Sequence, residues 1–182
     1  MNTGKNENKI LTLPNILSFI RLILIPFIVW AYYDERPTTA AILLVASGLS
    51  DVTDGFIARR FDMISNFGKI IDPLADKLTQ GVVLICLVGK FRYLIALVML
   101  MIIKEMTVTV TGFDTFSRTK KMRQSEWHGK LATTLIYLTI FTHILWGDIP
   151  LWLSLLLLGL CFAAVSISLV MYTKKNISEK NP

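Results

Sequence analysis

Aspartate residues are concentrated in one short part of an otherwise apolar chain. Five of the 13 acidic residues lie within residues 50–78, and these are Asp51, Asp54, Asp62, Asp72 and Asp76. The first two are spaced i, i+3 and the last two i, i+4, so on helices each pair shares one face. A short turn between the two helices would make them antiparallel neighbours. The two carboxylate pairs would then face each other.

Facing carboxylates need compensating charge, because each costs about 2.5–3.5 kcal/mol in the middle of a membrane and less near its surface. Oxygen ligands without a nearby His or Cys favour Mg²⁺ or Mn²⁺ over zinc. Two ions that share bridging carboxylates are suited to phosphoryl chemistry. We therefore predict two ions, Mg²⁺ or Mn²⁺, held by Asp51, Asp54, Asp72 and Asp76. Asp62 falls in the turn and receives no role.

The elements that must position these residues are apolar helices. Of the 182 residues, 53% are hydrophobic, and the mean hydropathy is +0.57, which is high for a water-soluble domain. Six apolar segments of roughly 20 residues each match helices that cross a bilayer. We predict an all-α, polytopic membrane protein with a single domain over residues 1–182. Its predicted membrane-spanning segments are 14–33, 38–60, 68–89, 92–112, 129–146 and 149–172.

Positive charge predicts the orientation. Of the 19 Lys and Arg residues, thirteen fall in the segments that share a side with the N-terminus and three in the opposite turns. This bias indicates that both termini are cytoplasmic. We predict a multi-pass protein of the plasma membrane. The acidic site would then lie near the cytoplasmic interface. The net charge of +6 is explained by membrane topology and anionic lipid headgroups, so no nucleic-acid partner is predicted.

Small residues accompany the acids. Gly55 and Ala58 share the helix face of the first pair, and Gly68 begins the stripe of the second. Small residues let a ligand approach the backbone closely, although close helix packing in membranes also uses them. Arg59 follows Ala58 and is a candidate for a phosphate oxygen, with an interfacial anchor as the alternative.

These residues together resemble a known family. The arrangement Asp-x2-Asp-Gly-x2-Ala-Arg-x8-Gly-x3-Asp-x3-Asp, over residues 51–76, is similar to the signature of the CDP-alcohol phosphatidyltransferases at all eight positions. The resemblance implies metal-dependent transfer of a phosphatidyl group from CDP-diacylglycerol to an alcohol, with release of CMP. It implies two metal ions and a homodimer.

The resemblance also implies roles for the individual residues. Asp51, Asp54 and Asp72 would hold metal. Asp76 would be the general base for the acceptor hydroxyl and would also contact an ion. The residues that line the CDP-lipid site would be Gly55, Ala58, Arg59 and Gly68.

The acceptor is less well indicated. Residues 13–27 and 68–78 resemble the branch of phosphatidylglycerophosphate synthases and eukaryotic-type cardiolipin synthases, which implies glycerol 3-phosphate or phosphatidylglycerol as acceptor. We predict glycerol 3-phosphate, with cardiolipin synthesis or another alcohol as the alternative. Candidate acceptor-binding residues are Lys104, Arg118, Lys130, Asn15 and Arg21.

Departures from the branch in two stretches of the chain weaken the prediction of a glycerol 3-phosphate acceptor. Lys104-Glu105 stands where an Arg-Glu pair is usual, and Gly112 stands where a further Arg is usual. Ala132 replaces a lysine of a Gly-Lys-x-Lys-Thr pattern. For Lys104 an ion pair with Glu105 is the alternative to substrate binding. For Arg21 the alternative is a side chain that extends to the interface, and for Arg118 it is headgroup contact.

Other classes of membrane protein fit less well. Intramembrane aromatic prenyltransferases also use aspartates and Mg²⁺, but they place two Asp-rich motifs far apart in a longer chain. A cation transporter with an intramembrane acidic site is the non-enzyme alternative, and it would not need the Gly-Ala-Arg pattern. We interpret His143 as a hydrogen-bonded structural residue, and Cys86 and Cys161 as buried thiols.

Overall fold

The computed structural model describes residues 12–60, 67–119 and 127–180. Within these ranges the described backbone forms six α-helices and one short 3₁₀ helix, so the predicted all-α fold is confirmed. The helices are α1 (Leu13–Tyr33), α2 (Pro37–Arg60), α3 (Gly68–Val88), α4 (Ile95–Thr119), α5 (Trp127–Leu145) and α6 (Leu151–Lys180), with the 3₁₀ helix at Arg92–Leu94.

The helix ends have local causes. Thr12 caps α1, since its side chain accepts a hydrogen bond from the Asn15 backbone nitrogen at 3.5 Å, and Pro14 sits in the first turn, where it costs no hydrogen bond. A three-residue turn separates α1 from α2. Glu35 there has φ of 55°, a left-handed conformation that reverses the chain tightly. The short turn makes α1 and α2 packed neighbours.

The chain divides into two compact units. The first contains Met1–Cys86 with Ile144–Gly147, and the second contains Leu87–His143 with Asp148–Pro182. In the first unit, α1 packs on α2. The small buried residues of this unit include Ala31, Ala40 and Ala75. In the second, α4 packs on α6. The single domain predicted for residues 1–182 stays a prediction.

The described helices expose many large apolar side chains and bury several polar ones. Among the described residues, three segments are long and apolar enough to cross a membrane: Leu13–Tyr33, Arg92–Val110 and Leu151–Lys174. On α1 the exposed side chains include Ile16, Ile20 and Ile23, whereas Asn15, Ser18 and Arg21 are buried. Polar residues inside and apolar residues outside are expected for a protein surrounded by lipid. The chain is a membrane protein, and the crossing of the membrane by all six helices stays a prediction.

The second unit contains a buried polar network around His143, which confirms the interpretation of this residue as hydrogen-bonded. Its Nδ1 lies 2.7 Å from the Thr139 carbonyl oxygen and its Nε2 lies 2.6 Å from Ser154 Oγ. Because the carbonyl can only accept, Nδ1 carries the proton and Nε2 accepts from Ser154. The Tyr93 hydroxyl lies 2.6 Å from the same Ser154 oxygen. Cys86 and Cys161 are free and buried, as predicted.

Candidate active site

The first helix presents a buried polar face to the acidic residues. Asn15, Ser18 and Arg21 follow one another at intervals of three residues and are 1%, 0% and 0% exposed. An interval of three keeps successive side chains on nearly the same side of a helix. A buried polar side chain is costly unless it finds a partner. Ser18 and Arg21 find theirs on two other helices.

Arg21 pairs with the first aspartate of the motif. Its Nη1 donates to Asp51 Oδ1 at 2.6 Å. The Arg21 side chain is 0% exposed and the Asp51 side chain 47% exposed, so the guanidinium approaches the carboxylate from the protein interior. Arg21 therefore does not extend to the membrane surface, which was the alternative suggested by its position in the sequence.

Ser18 contacts the third aspartate of the motif. Its hydroxyl donates to Asp72 Oδ1 and also lies 3.2 Å from the Pro14 carbonyl oxygen. A hydroxyl has one hydrogen, and an ionised carboxylate is the stronger acceptor. The contact joins α1 to α3 in the same unit in which Arg21 joins α1 to α2.

Asp76 has a neutral partner on its own helix. The Gln80 side-chain amide nitrogen lies 3.2 Å from both carboxylate oxygens of Asp76, and Gln80 is 4% exposed. The sequence reasoning missed Gln80 and did not include Ser18 among the site residues. A signal for Gln80 was available, because Gly68, Asp72, Asp76 and Gln80 continue one stripe at intervals of four residues.

The remaining motif residues are placed by the backbone. The other α2 residues of the motif are helical as predicted: Asp54, Gly55, Ala58 and Arg59. Their side chains fall outside the described part of the structure. Gly68 is buried at the start of α3. Phe67, just before it, stacks on Phe19 of α1 with ring centroids 6.0 Å apart, which ties the beginning of α3 to α1.

The chemistry of the described donors fits a hard divalent cation. Asp51 and Asp72 offer carboxylate oxygens, the ligands that Mg²⁺ and Mn²⁺ prefer, and both are reached from one face of α1. Among the described side chains, which exclude Asp54, no three His, Cys, Asp or Glu residues form a metal-binding group. The two-ion site stays a prediction.

The other candidate acceptor-binding residues belong to the second unit. Lys104 is buried on α4, and its Nζ lies 3.0 Å from Glu105 Oε1. Lys130 is exposed on α5. Arg118 belongs to the last turn of α4, and its side chain is outside the described part of the structure. The contact of Lys104 is the ion pair that the sequence suggested as the alternative to substrate binding.

Comparison with known proteins identifies the family. The model of the CDP-alcohol phosphatidyltransferase family matches residues 11–169. A protein of Aquifex aeolicus, named CDP-diacylglycerol–glycerol-3-phosphate 3-phosphatidyltransferase, is 30% identical over 134 residues, 72% of this chain and 75% of the relative. A Rickettsia bellii protein of the same name is 41% identical over 81 residues, 43% of this chain and 45% of the relative.

A third relative is a fusion protein of Schizosaccharomyces pombe, named cardiolipin synthase (CMP-forming)/mitochondrial hydrolase. It is 42% identical over 81 residues, 44% of this chain and 14% of the relative. The chain thus spans less than half of the length of the Rickettsia relative and a small part of the fusion protein. The family model, in contrast, runs from the start of α1 into α6 and includes the whole aspartate motif. The chain therefore belongs to the CDP-alcohol phosphatidyltransferase family.

Proposed function

We propose that the chain transfers a phosphatidyl group from CDP-diacylglycerol to glycerol 3-phosphate, with release of CMP. Family membership supports the reaction class, and the names of the Rickettsia and Aquifex relatives support the two substrates. The structural observation that carries the proposal is the meeting of Asp51 and Asp72, from different helices, at one buried polar face of α1. Carboxylates gathered in this way are suited to cations and to the pyrophosphate that cations bind.

The donor half of the reaction uses α2 and α3. Asp51, Asp54, Asp72 and Asp76 would hold two ions, Mg²⁺ or Mn²⁺. When bound, these ions would offset the negative charge of the pyrophosphate. Gly55, Ala58 and Gly68 would allow the nucleotide and phosphates to approach the backbone, and Arg59 would bind a phosphate oxygen.

In the chemical step, the acceptor hydroxyl forms a bond to the lipid-side phosphorus of CDP-diacylglycerol. The bond from that phosphorus to the bridging oxygen breaks, and CMP leaves with that oxygen. Asp76 accepts the hydroxyl proton. Gln80 holds both oxygens of the Asp76 carboxylate through one amide group at 3.2 Å, so the base keeps a defined orientation while its other lone pairs accept the proton.

The acceptor half uses basic residues. Glycerol 3-phosphate carries a phosphate dianion, and we assign its recognition to Lys104, Arg118 and Lys130. The ion pair of the buried Lys104 with Glu105 leaves this assignment open to Lys104, because an ammonium group has three donors and one carboxylate contact retains others for a phosphate oxygen. Asn15 and Arg21 complete the set predicted from sequence, although the contact of Arg21 with Asp51 suits a different role, developed below.

The proposed setting is the plasma membrane. Both termini would be cytoplasmic, six helices would cross the bilayer, and two chains would form a homodimer. The excess of basic residues on one side supports the orientation. A cytoplasmic site is also the side from which a water-soluble acceptor and a nucleotide leaving group are accessible.

The assay that tests the proposal measures CMP release by the detergent-purified chain. It supplies CDP-diacylglycerol with Mg²⁺ or Mn²⁺ and, in separate reactions, glycerol 3-phosphate, glycerol, inositol, serine and phosphatidylglycerol. We expect CMP release that depends on glycerol 3-phosphate and a lipid product carrying a phosphomonoester. If no acceptor produces CMP, the enzymatic proposal is wrong.

Cardiolipin synthesis is the second candidate. The fusion protein of Schizosaccharomyces pombe carries cardiolipin synthase in its name, and Ala132 stands where the related synthases resembling this chain often have lysine. Its acceptor would be phosphatidylglycerol, which has no terminal phosphate and needs fewer cations. CMP release with phosphatidylglycerol alone would favour this activity over the leading one.

A further inference from the structure

We propose that α1 is the positioning element of the acidic site: Ser18 sets the orientation of the Asp72 carboxylate, and Arg21 sets that of Asp51. The inference rests on the proposed function for the meaning of the site. It assigns a role to two residues outside the aspartate motif. In this role Ser18 and Arg21 act through the aspartates that they contact, and the role replaces acceptor binding as the assignment for Arg21.

The first argument is geometric. Ser18 and Arg21 lie three residues apart on one face of α1, yet Ser18 contacts α3 and Arg21 contacts α2. Each aspartate is held through its Oδ1 atom, which leaves Oδ2 outside that contact. A single rigid helix therefore sets the orientation of two carboxylates that belong to different helices. Ions that require near-ideal ligand geometry depend on such an arrangement.

Burial is the second argument. Ser18 and Arg21 are both 0% exposed, so packing restricts their rotamers, whereas the Asp51 side chain is 47% exposed. The donors thus approach from the interior, and the carboxylate keeps an accessible side for a ligand. In metal sites of other proteins, buried hydrogen-bond donors behind the ligating side chains fix the orientation of those ligands in the same way.

Charge is the third argument. The motif contains four aspartates and one arginine, Arg59, so with Arg21 added the formal charge of these residues is still negative and attracts cations. The serine hydroxyl orients Asp72 without adding any charge. An Arg at both positions would reduce the attraction for cations, and two neutral donors would leave more repulsion between the carboxylates. The observed combination orients both ligands and preserves the need for a cation.

The experiment compares two buried serines of the first unit. Ser18 and Ser47 are both 0% exposed, but Ser47 Oγ has no hydrogen-bond partner among the described residues. The wild-type chain is purified in detergent beside four variants: Ser18→Ala, Ser18→Thr, Ser47→Ala and Arg21→Lys. The affinity for Mn²⁺ alone is measured by titration calorimetry, and thermal unfolding and CMP release are measured in parallel.

We expect Ser18→Ala to bind Mn²⁺ about 10-fold more weakly, the lower end of the range for loss of a ligand-orienting contact. Ser18→Thr keeps the hydroxyl and should bind within about threefold of the wild-type affinity. Ser47→Ala should change neither Mn²⁺ affinity nor CMP release. Arg21→Lys keeps the charge but loses the planar fork, and it should weaken Mn²⁺ binding several-fold.

Wild-type Mn²⁺ affinity in both Ser18→Ala and Arg21→Lys would overturn the positioning role. Equal weakening in Ser18→Ala and Ser18→Thr would overturn the role of the hydroxyl, as would a loss of thermal stability in Ser18→Ala with unchanged Mn²⁺ binding. A wild-type chain that binds Mn²⁺ but releases no CMP would instead overturn the proposed function and leave the positioning result intact. A wild-type chain that binds no Mn²⁺ would overturn both.

Discussion

At the scale of single residues, the two aspartates of α3 have different surroundings. Asp72 receives a hydrogen bond from Ser18 of another helix, whereas Asp76 is held by Gln80 one turn further along its own helix. A carboxylate that is oriented from within its own helix keeps its position when neighbouring helices move. This difference is consistent with a proton-accepting role for Asp76 and a ligand role for Asp72.

Replacing Asp76 with Asn tests the proton-accepting role. The amide is nearly isosteric and still offers an oxygen to Gln80, so the local structure should persist, but it cannot accept the hydroxyl proton. We expect CMP release to fall by about 10²–10⁴-fold, while CDP binding, followed by calorimetry, changes little. Asp148→Asn is the control, because that carboxylate is 99% exposed and pairs weakly with Lys90 at 3.6 Å. Wild-type turnover in Asp76→Asn would remove Asp76 from the base role.

Gln80→Leu tests the partner of the base. The substitution preserves side-chain size and removes the amide that holds both Asp76 oxygens. Hydrogen bonds to charged groups contribute about 1.5–3 kcal/mol, so kcat for CMP release should fall roughly 10- to 100-fold.

Its matched control is Thr79→Val. Thr79 is 0% exposed, and its hydroxyl donates to the Ala75 backbone oxygen at 2.8 Å. If both variants lose activity equally, the effect comes from α3 packing and not from Asp76.

At the scale of elements, helix contacts depend on small residues at particular positions. Gly129, in the first turn of α5, is an example in the second unit. A Cβ added there would lie 3.1 Å from the Tyr172 hydroxyl oxygen of α6, and Tyr172 is buried. Neighbouring Lys130 is a candidate acceptor-binding residue, so this contact also places the start of α5 relative to α6.

Gly129→Ala should therefore lower the thermal stability of the protein, since the tyrosine must move or the helices must separate. The loss should be smaller when the same change is made in a Tyr172→Phe background, which lacks the crowded oxygen. A double-mutant cycle of unfolding temperatures measures this coupling. Gly159→Ala in α6 is the control, because an added Cβ there meets nothing within 4 Å and should leave stability unchanged or raise it. Equal losses in both backgrounds would contradict the proposed crowding.

At the scale of the whole molecule, buried charge in a lipid-facing protein links stability to cations. Many large apolar side chains of the described residues are exposed, whereas Asp51 and Asp72 contact one buried polar face of α1. If two ions neutralise those carboxylates, they bind the folded chain and not the unfolded one. A ligand that binds only the folded state, at a free concentration 100 times its dissociation constant, stabilises that state by about 2.7 kcal/mol.

We expect EDTA to abolish CMP release and to lower the unfolding temperature, and excess Mg²⁺ or Mn²⁺ to restore both. Asp72→Asn should lose most of the stabilisation by metal. EDTA presaturated with metal, at the same ionic strength, controls for screening of charge. Full activity after exhaustive chelation would exclude the metal-dependent mechanism.

Much of the fold was predictable because lipid restricts the options to helices, and helix limits follow from apolar segments. Predicted limits of 14–33 and 68–89 compare with Leu13–Tyr33 and Gly68–Val88 in the structure. The predicted membrane spans 92–112 and 149–172 compare with the apolar spans Arg92–Val110 and Leu151–Lys174, and the helices continue beyond them, α4 to Thr119 and α6 to Lys180. A hydropathy pattern detects the hydrocarbon region, but backbone hydrogen bonding continues into water wherever residues favour helix.

The sequence by itself determined the helical class, the two carboxylate stripes and the family, because each depends on spacing along one chain segment. Only the tertiary structure decided the partners of those carboxylates. Arg21 and Asp51 are 30 residues apart in sequence, and Ser18 and Asp72 are 54 apart. No periodicity relates residues on different helices, since their contact depends on how the helices pack. From sequence, Arg21 was a candidate for the acceptor, and its burial against Asp51 suggests instead that the first helix orients the acidic site.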